Sequence, residues 1–171
     1  VFSVLVKQLL ECEAIKGEVV AIDSTAVKAY SQRDLKNKRG KSDREARVGR
    51  GRRGFILGYK VHTACCASSE LPLAFKVAPC NVNEKLCFRP LLEKLKGQGV
   101  CVKVVLADAQ YDSSMVRETV REYGAEPVIP HRRSSKIKHA LKVGHDFVVH
   151  GAKRLVNLFR RRISIERVFS R

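Results

Sequence analysis

The sequence predicts an α/β fold, a mixed sheet covered by helices on both faces. Short runs rich in β-branched residues alternate with stretches of helical periodicity, which is the pattern of strands joined by crossover helices. Two of those runs end in an aspartate. The chain has 171 residues, enough for one domain with a real core and too few for two ordinary ones.

The elements follow in order. "VFSVLVKQLLECEA" reads as the tail of a helix, without the basic start and small-residue cleavage site of a signal peptide. "EVVAIDST" (18–25) is a buried strand ending in Asp23 and two hydroxyl residues. Residues 33–54 carry ten Lys or Arg, four glycines and almost nothing apolar, so a flexible basic loop is expected. Residues 55–68 and 71–81 form two strands across a short connection, an antiparallel hairpin. Residues 83–99 are helical: Asn83 can cap, Leu86, Leu91, Leu92 and Leu95 recur at helical intervals, and Gly97 ends the pattern. Pro90 either kinks this helix or marks the start of its better half. "CVKVVLADAQYDSS" (101–114) is a second buried strand, ending in Asp108. A helix over 113–124 follows, capped by Asp112 or Ser113 and stopped by Gly124, and then a short strand over 125–132. A second basic stretch precedes "AKRLVNLFRRRISIERVFSR", which has the length and apolar content of a helix.

Charge restricts the partners. Lys and Arg number 34 against 17 acids, a formal net charge of +17, which points to a polyanion and most economically to nucleic-acid phosphates. No apolar run approaches the roughly 20 residues of a membrane span, and no basic amphipathic segment stands apart from the fold. The six cysteines, Cys12, Cys65, Cys66, Cys80, Cys87 and Cys101, include no C-x-x-C pair, and most read as small buried hydrophobes in a reducing cytosol. His145 and His150 have no clear third ligand beside them.

Functional groups in an open α/β sheet collect at the carboxyl ends of strands, so Asp23 and Asp108 can share one crevice if their strands are neighbours. An aspartate after a strand is also an ordinary turn former or helix cap. Asp112 is the better cap near the second strand, and Ser24 and Thr25 can serve a turn near the first, which leaves both acids surplus. Two adjacent buried carboxylates repel unless a cation sits between them, and Mg²⁺ is a hard ion suited to carboxylate oxygens. A third acid would complete a two-metal site for in-line phosphoryl displacement. Glu166 is the candidate: Phe159, Arg162 and Glu166 are spaced i, i+3 and i+7 on a helix. The plainer alternative is a surface ion pair between Glu166 and Arg162 one turn back.

"AIDST", "VVLADAQYDS" and "RRRISIERVFS" resemble the three acidic motifs of DDE transposases of bacterial and archaeal insertion sequences. They match the large group whose third motif reads Tyr, two residues, Arg, three residues, Glu, six residues, Lys. The segment "AYSQRD...SDREARVGRGRRGFILGYKVH" is similar to the stretch after their first acid, and the resemblance runs from Val19 to Arg171. It implies a ribonuclease H-like catalytic core with Asp23, Asp108 and Glu166 as the triad for two Mg²⁺ or Mn²⁺ ions, and Arg162 as a substrate-contacting arginine. The implied activity is cleavage of DNA at insertion-sequence ends and strand transfer into target DNA, without a covalent enzyme intermediate. DNA is the implied partner, no membrane is involved, and the resemblance leaves open a homodimer in a synaptic complex. The expected location is cytoplasmic and nucleoid-associated. Phe159 replaces the pattern's Tyr, and the pattern's Lys would fall two residues past Arg171. Members are longer at both ends, so residues 1–171 are expected to be a single core truncated at both ends.

The basic residues then acquire a task. Lys28, Arg33, Arg50, Arg52, Arg53, Lys60, Arg132, Arg133 and Arg162 are candidates for contacting DNA, in affinity that falls steeply with salt. For any single one, a solvated charge is the alternative. A ribonuclease H-like nuclease or resolvase could use the same triad, and a catalytically inactive DNA-binding remnant would keep the charge without the chemistry. Ser24, Ser113 and Ser114 lack a G-x-S-x-G elbow, and "GRGRRG" lacks the G-K-[ST] ending of a phosphate loop.

Overall fold

β1 (Val19–Lys28) is the axis of the molecule. Its first residues, Val20, Ala21 and Ile22, are fully buried, as a strand covered on both faces requires. The computed structural model describes residues 1–51, 54–130 and 157–170. In it β1 pairs antiparallel with β5 (Gly54–Cys66) and parallel with β7 (Val104–Leu106). β7 pairs parallel with β8 (Glu126–Val128), and β5 pairs antiparallel with β6 (Pro72–Pro79). The expected hairpin and the order of the sheet strands are therefore present.

Helices cover both faces of this sheet, as predicted. On one face α1 (Phe2–Glu11), α2 (Phe88–Gly97) and α3 (Ser114–Glu122) pack Val6, Leu91, Leu92, Leu95, Val116 and Val120 against Ile22, Ala64 and Val105. On the other, α4 (Ile163–Ser170) sets Ile165 against Ala21, Cys65 and Leu106. Ile165 has no exposed surface; burying such a side chain contributes roughly 1.5–3 kcal/mol and fixes the height of α4 over the sheet. Alternation makes this two-sided packing possible, since neighbours such as Ala21 and Ile22 point to opposite faces.

Asn83 caps a 3-10 turn at Glu84–Cys87 by accepting from the Lys85 amide, and α2 follows with Pro90 in its first turn, where a missing N–H costs nothing. Leu86, grouped above with the buried stripe, is 62% exposed because it belongs to that turn and not to the helix. Ser113 is the cap of α3, accepting from the Val116 amide, and Gly124 ends the segment at a φ of 74°. The last segment is not one continuous helix: residues 157–160 are helical, 161–162 turn, and α4 then begins. Four of the six cysteines, Cys65, Cys66, Cys80 and Cys87, are buried and free.

Residues 33–54 depart from the expected loop. They contribute β2 (Arg33–Asp34), β3 (Arg39–Gly40) and β4 (Arg47–Gly51), which extend the sheet in the order β2-β3-β4-β5. Side chain to backbone bonds take over where apolar packing is missing. Asp34 accepts from the Lys36 and Asn37 amides, and Asp43 from those of Glu45 and Ala46. The glycines allow close approach: a Cβ on Gly49 would stand 2.0 Å from the Cys80 carbonyl oxygen, and one on Gly58 the same distance from that of Val27. Composition shows the charge of this stretch but hides these main-chain contacts.

A candidate metal centre

Asp23 lies in the middle of β1, not at its end, because β5 is 13 residues long and pairs with β1 as far as Lys28. Ser24 and Thr25 therefore continue the strand. β7 is shorter and stops at Leu106, opposite Ala21, so the chain that carries Asp108 leaves the sheet near the level of Asp23. Asp108 is not free of structural work, as the sequence suggested. It caps a 3-10 turn at Ala109–Tyr111, accepting from the Gln110 amide at 2.8 Å. Asp112, the expected cap, instead receives Arg117.

The Asp23 carboxyl senses both its burial and its neighbours. Burial pushes the Asp23 carboxyl up from 3.8 to about 6, and the Asp108 charge adds to the rise. The Ser24 amide, 2.8 Å from Oδ1, and Arg162 act in the opposite direction. Arg162 Nη1 donates to Asp23 Oδ2 at 3.3 Å and Nη2 to Glu166 Oε1 at 2.6 Å. Its guanidinium also lies 5.6 Å from the Phe159 ring centroid, in the range of a cation–π contact. Phe159, Arg162 and Glu166 do come together as expected, but across the turn at 161–162 and not on one helix face, and the plain ion-pair reading of Glu166 is correct as far as it goes. The same arginine carries that pair onto Asp23.

A divalent ion suits part of this arrangement. The donors are all oxygens, and Asp23 is held in a state that a nearby cation would relieve. A guanidinium already bridges two of the three acids, so positive charge is accommodated there. Among the described residues, no group of three His, Cys, Asp or Glu side chains is arranged to hold an ion. Asp23 and Asp108 offer carboxylate oxygens of the kind a divalent ion takes, whereas Glu166 faces Arg162 and would have to exchange it for the ion.

Behind Asp23, on the opposite face, are groups the sequence did not single out. Tyr111, three residues after Asp108, is 1% exposed, and its hydroxyl is pushed well above the ordinary tyrosine range by burial and then by the Asp23 charge. His62 has no exposed surface, neither ring nitrogen has a hydrogen-bond partner, and burial pushes it down to about 4. Tyr111 was visible in the motif "ADAQYDS", but only its spacing from Asp108 could have drawn attention to it.

The candidate DNA-contacting residues separate by position. Lys60 is paired with Glu84 at 2.6 Å with 13% of its side chain exposed, so it is not free to meet a phosphate. Lys28, Arg33 and Arg50 are exposed. Arg52, Arg53, Arg132 and Arg133 lie outside the described residues, as does the basic stretch from 131 to 142. No helix among the described residues is long and apolar enough to cross a membrane.

Fold and site together define a mixed α/β chain that gathers acids beside the carboxyl end of a parallel strand and sets a bridging arginine over them. The chain matches the transposase DDE domain family over residues 15–171 and belongs to it. Among solved structures it is similar to the Mos1 transposase paired-end complex with left transposon end, at 11% identity and a TM-score of 0.40, over 98% of this chain and 56% of that one. It is similar to the catalytic domain of Mos1 mariner transposase, at 8% identity and a TM-score of 0.41, over 98% of this chain and 84% of that one. The Mos1 catalytic domain with raltegravir and Mn gives 10% identity and a TM-score of 0.43, over 98% and 85%. The chain thus spans little more than half of the paired-end protein, and likenesses this distant assign no function. No curated protein sequence matches.

Proposed function

We propose that this chain is the catalytic core of a DNA transposase that cuts at the ends of an insertion sequence and joins them to target DNA. What supports the reading is that Arg162 bridges Asp23 and Glu166, with Asp108 near enough to raise the Asp23 carboxyl, in a member of the transposase DDE domain family. Asp23, Asp108 and Glu166 would hold Mg²⁺ or Mn²⁺, two ions in the full site. Such ions activate an attacking oxygen and stabilise the leaving one in an in-line displacement at phosphorus.

The protein's own residues do the positioning. Asp108 is fixed by its cap to the Gln110 amide and Asp23 by the Ser24 amide, so both carboxylates are oriented before substrate arrives. Arg162, released from the acids, would turn its two-pronged guanidinium to a phosphate, and the Phe159 ring would keep that group over the site. Lys28, Arg33 and Arg50, with Arg52, Arg53, Arg132 and Arg133, would hold the DNA backbone without reading sequence. Joining two ends at one target favours a homodimer in a synaptic complex, acting on DNA in the nucleoid.

The test is cleavage of a plasmid carrying the element's terminal repeats with Mg²⁺ or Mn²⁺, comparing the chain with Asp108→Asn. Metal-dependent nicking and joined products lost in the variant support the proposal. Nicking without joining makes the chain a nuclease or resolvase. Equal nicking by both proteins removes Asp108 from the mechanism, and salt-sensitive binding without nicking leaves an inactive DNA-binding chain.

A further inference from the structure

We infer that one DNA backbone runs along the Asp23 face of the sheet, from the acids to the end of the β4–β5 hairpin, held by the 41–46 turn and by Arg50. The inference rests on the DNA-cutting reading above and adds the path and its length. It begins with register. Residues paired across a ladder share a face, and alternate residues of one strand return to it. Asp23 pairs with Thr63, so Val61, Tyr59, Leu57 and Phe55 lie on the Asp23 side, and Arg50, which pairs with Phe55, lies there too.

The α4 helix covers only the near part of this face, where Ile165 packs on Ala21 and Cys65. Farther along, Val27 is 47% exposed and Phe55 75%. Between them the 41–46 turn is folded onto the face, because the Tyr59 hydroxyl donates to both oxygens of the Asp43 carboxylate, at 2.7 and 2.8 Å. Arg44 follows Asp43 directly and is exposed. The opposite face is less open to a backbone: Lys60 is occupied by Glu84, His62 has no exposed surface, and Lys28, exposed there, stands beyond them at the end of β1.

Charge decides what fits. An exposed phenylalanine beside arginines suits a sugar–phosphate backbone and the flat edge of a nucleotide better than an apolar protein surface. Tyr59 is four residues and Phe55 eight residues from Thr63 along β5. At about 3.3 Å per residue these lie roughly 13 and 26 Å from the level of Asp23. A strand of DNA advances about 3.4 Å per nucleotide, which places Arg44 about four and Arg50 about eight nucleotides from the phosphate being cut.

The experiment measures binding of the full chain to duplex DNA by fluorescence anisotropy over a KCl series. Arg44→Gln and Arg50→Gln should each weaken binding and lower the magnitude of the log–log salt slope by about 0.9, whereas Lys7→Gln, on α1 at the opposite face, should change neither. All three side chains are exposed, so the comparison does not depend on folding. Tyr59→Phe should reproduce the Arg44→Gln loss, and combining the two should add little, since the first frees the turn that positions the charge the second removes. A photoreactive benzoylphenylalanine in place of Phe55 should cross-link about eight nucleotides from the cleaved position. Equal losses on both faces, an unchanged slope in the arginine variants, or cross-links within three nucleotides of the cut would overturn the path and leave the DNA reading standing. Absence of salt-dependent binding by the unaltered chain would remove both.

Discussion

Replacing Asp23 with Asn should make the metal-free protein more stable at neutral pH. The carboxyl is 23% exposed and is pushed from 3.8 to about 6, first by burial and then by Asp108. The folded state therefore prefers the protonated form. The stability this provides is fully present below 3.8 and is lost as pH rises through 6. At about 1.4 kcal/mol per pH unit, the loss on ionisation is about 3 kcal/mol. Asn keeps the acceptor for the Ser24 amide, and the attraction of Arg162 for the ionised acid is already contained in the value of about 6. The net expectation is a gain of about 2–3 kcal/mol for Asp23→Asn at pH 7.5, shrinking to nothing below pH 4. The assay is urea denaturation of both proteins in EDTA at a series of pH values. A variant no more stable than the parent at pH 7.5, or a difference independent of pH, would refute the claim that Asp23 is held under electrostatic tension. Mn²⁺ should then stabilise the parent more than the variant, because only the parent has that tension to relieve.

Other outcomes follow from the same contacts. Arg162→Gln should tighten Mn²⁺ binding about tenfold, since a charge-assisted bond no longer has to be given up, and also lower DNA cleavage; weaker Mn²⁺ binding by electron paramagnetic resonance would contradict the exchange. His62, pushed down to about 4 from 6.5, should cost the fold about 3 kcal/mol as pH falls through that window, and His62→Leu should remove this acid sensitivity in denaturation curves. Gly49→Ala should destabilise by about 1–3 kcal/mol or more, because its Cβ meets the Cys80 backbone and not a side chain that can move; an unchanged melting midpoint would show that β4 is not packed there.

Much of the fold could be read from local pattern. The apolar β-branched runs around Val20 and Val105 became neighbouring parallel strands, and the hydrophobic spacing of Leu91, Leu92 and Leu95 became the buried stripe of α2. Local pattern failed where a distant partner decides. The length of β5 carries β1 past Asp23, and main-chain contacts of Gly49, Gly58, Asp34 and Asp43 order a stretch whose composition suggests only a loop. The site divides in the same way. Spacing placed Phe159, Arg162 and Glu166 together, but nothing local to "RRRISIERVF" could show the contact of Arg162 with Asp23, 139 residues earlier. Nor could it show that Asp108 is also a cap, because a carboxylate can serve the backbone with one oxygen and a cation with the other.

Three acids and one arginine would form an exchangeable cation site. Anomalous diffraction from crystals of the chain soaked in Mn²⁺ tests it most directly. Manganese should stand at about 2.1–2.2 Å from carboxylate oxygens of Asp23 and Asp108, with Glu166 turned to the metal and the Arg162 guanidinium no longer between Asp23 and Glu166. Manganese bound elsewhere, or absent while Arg162 keeps both carboxylates, would contradict it.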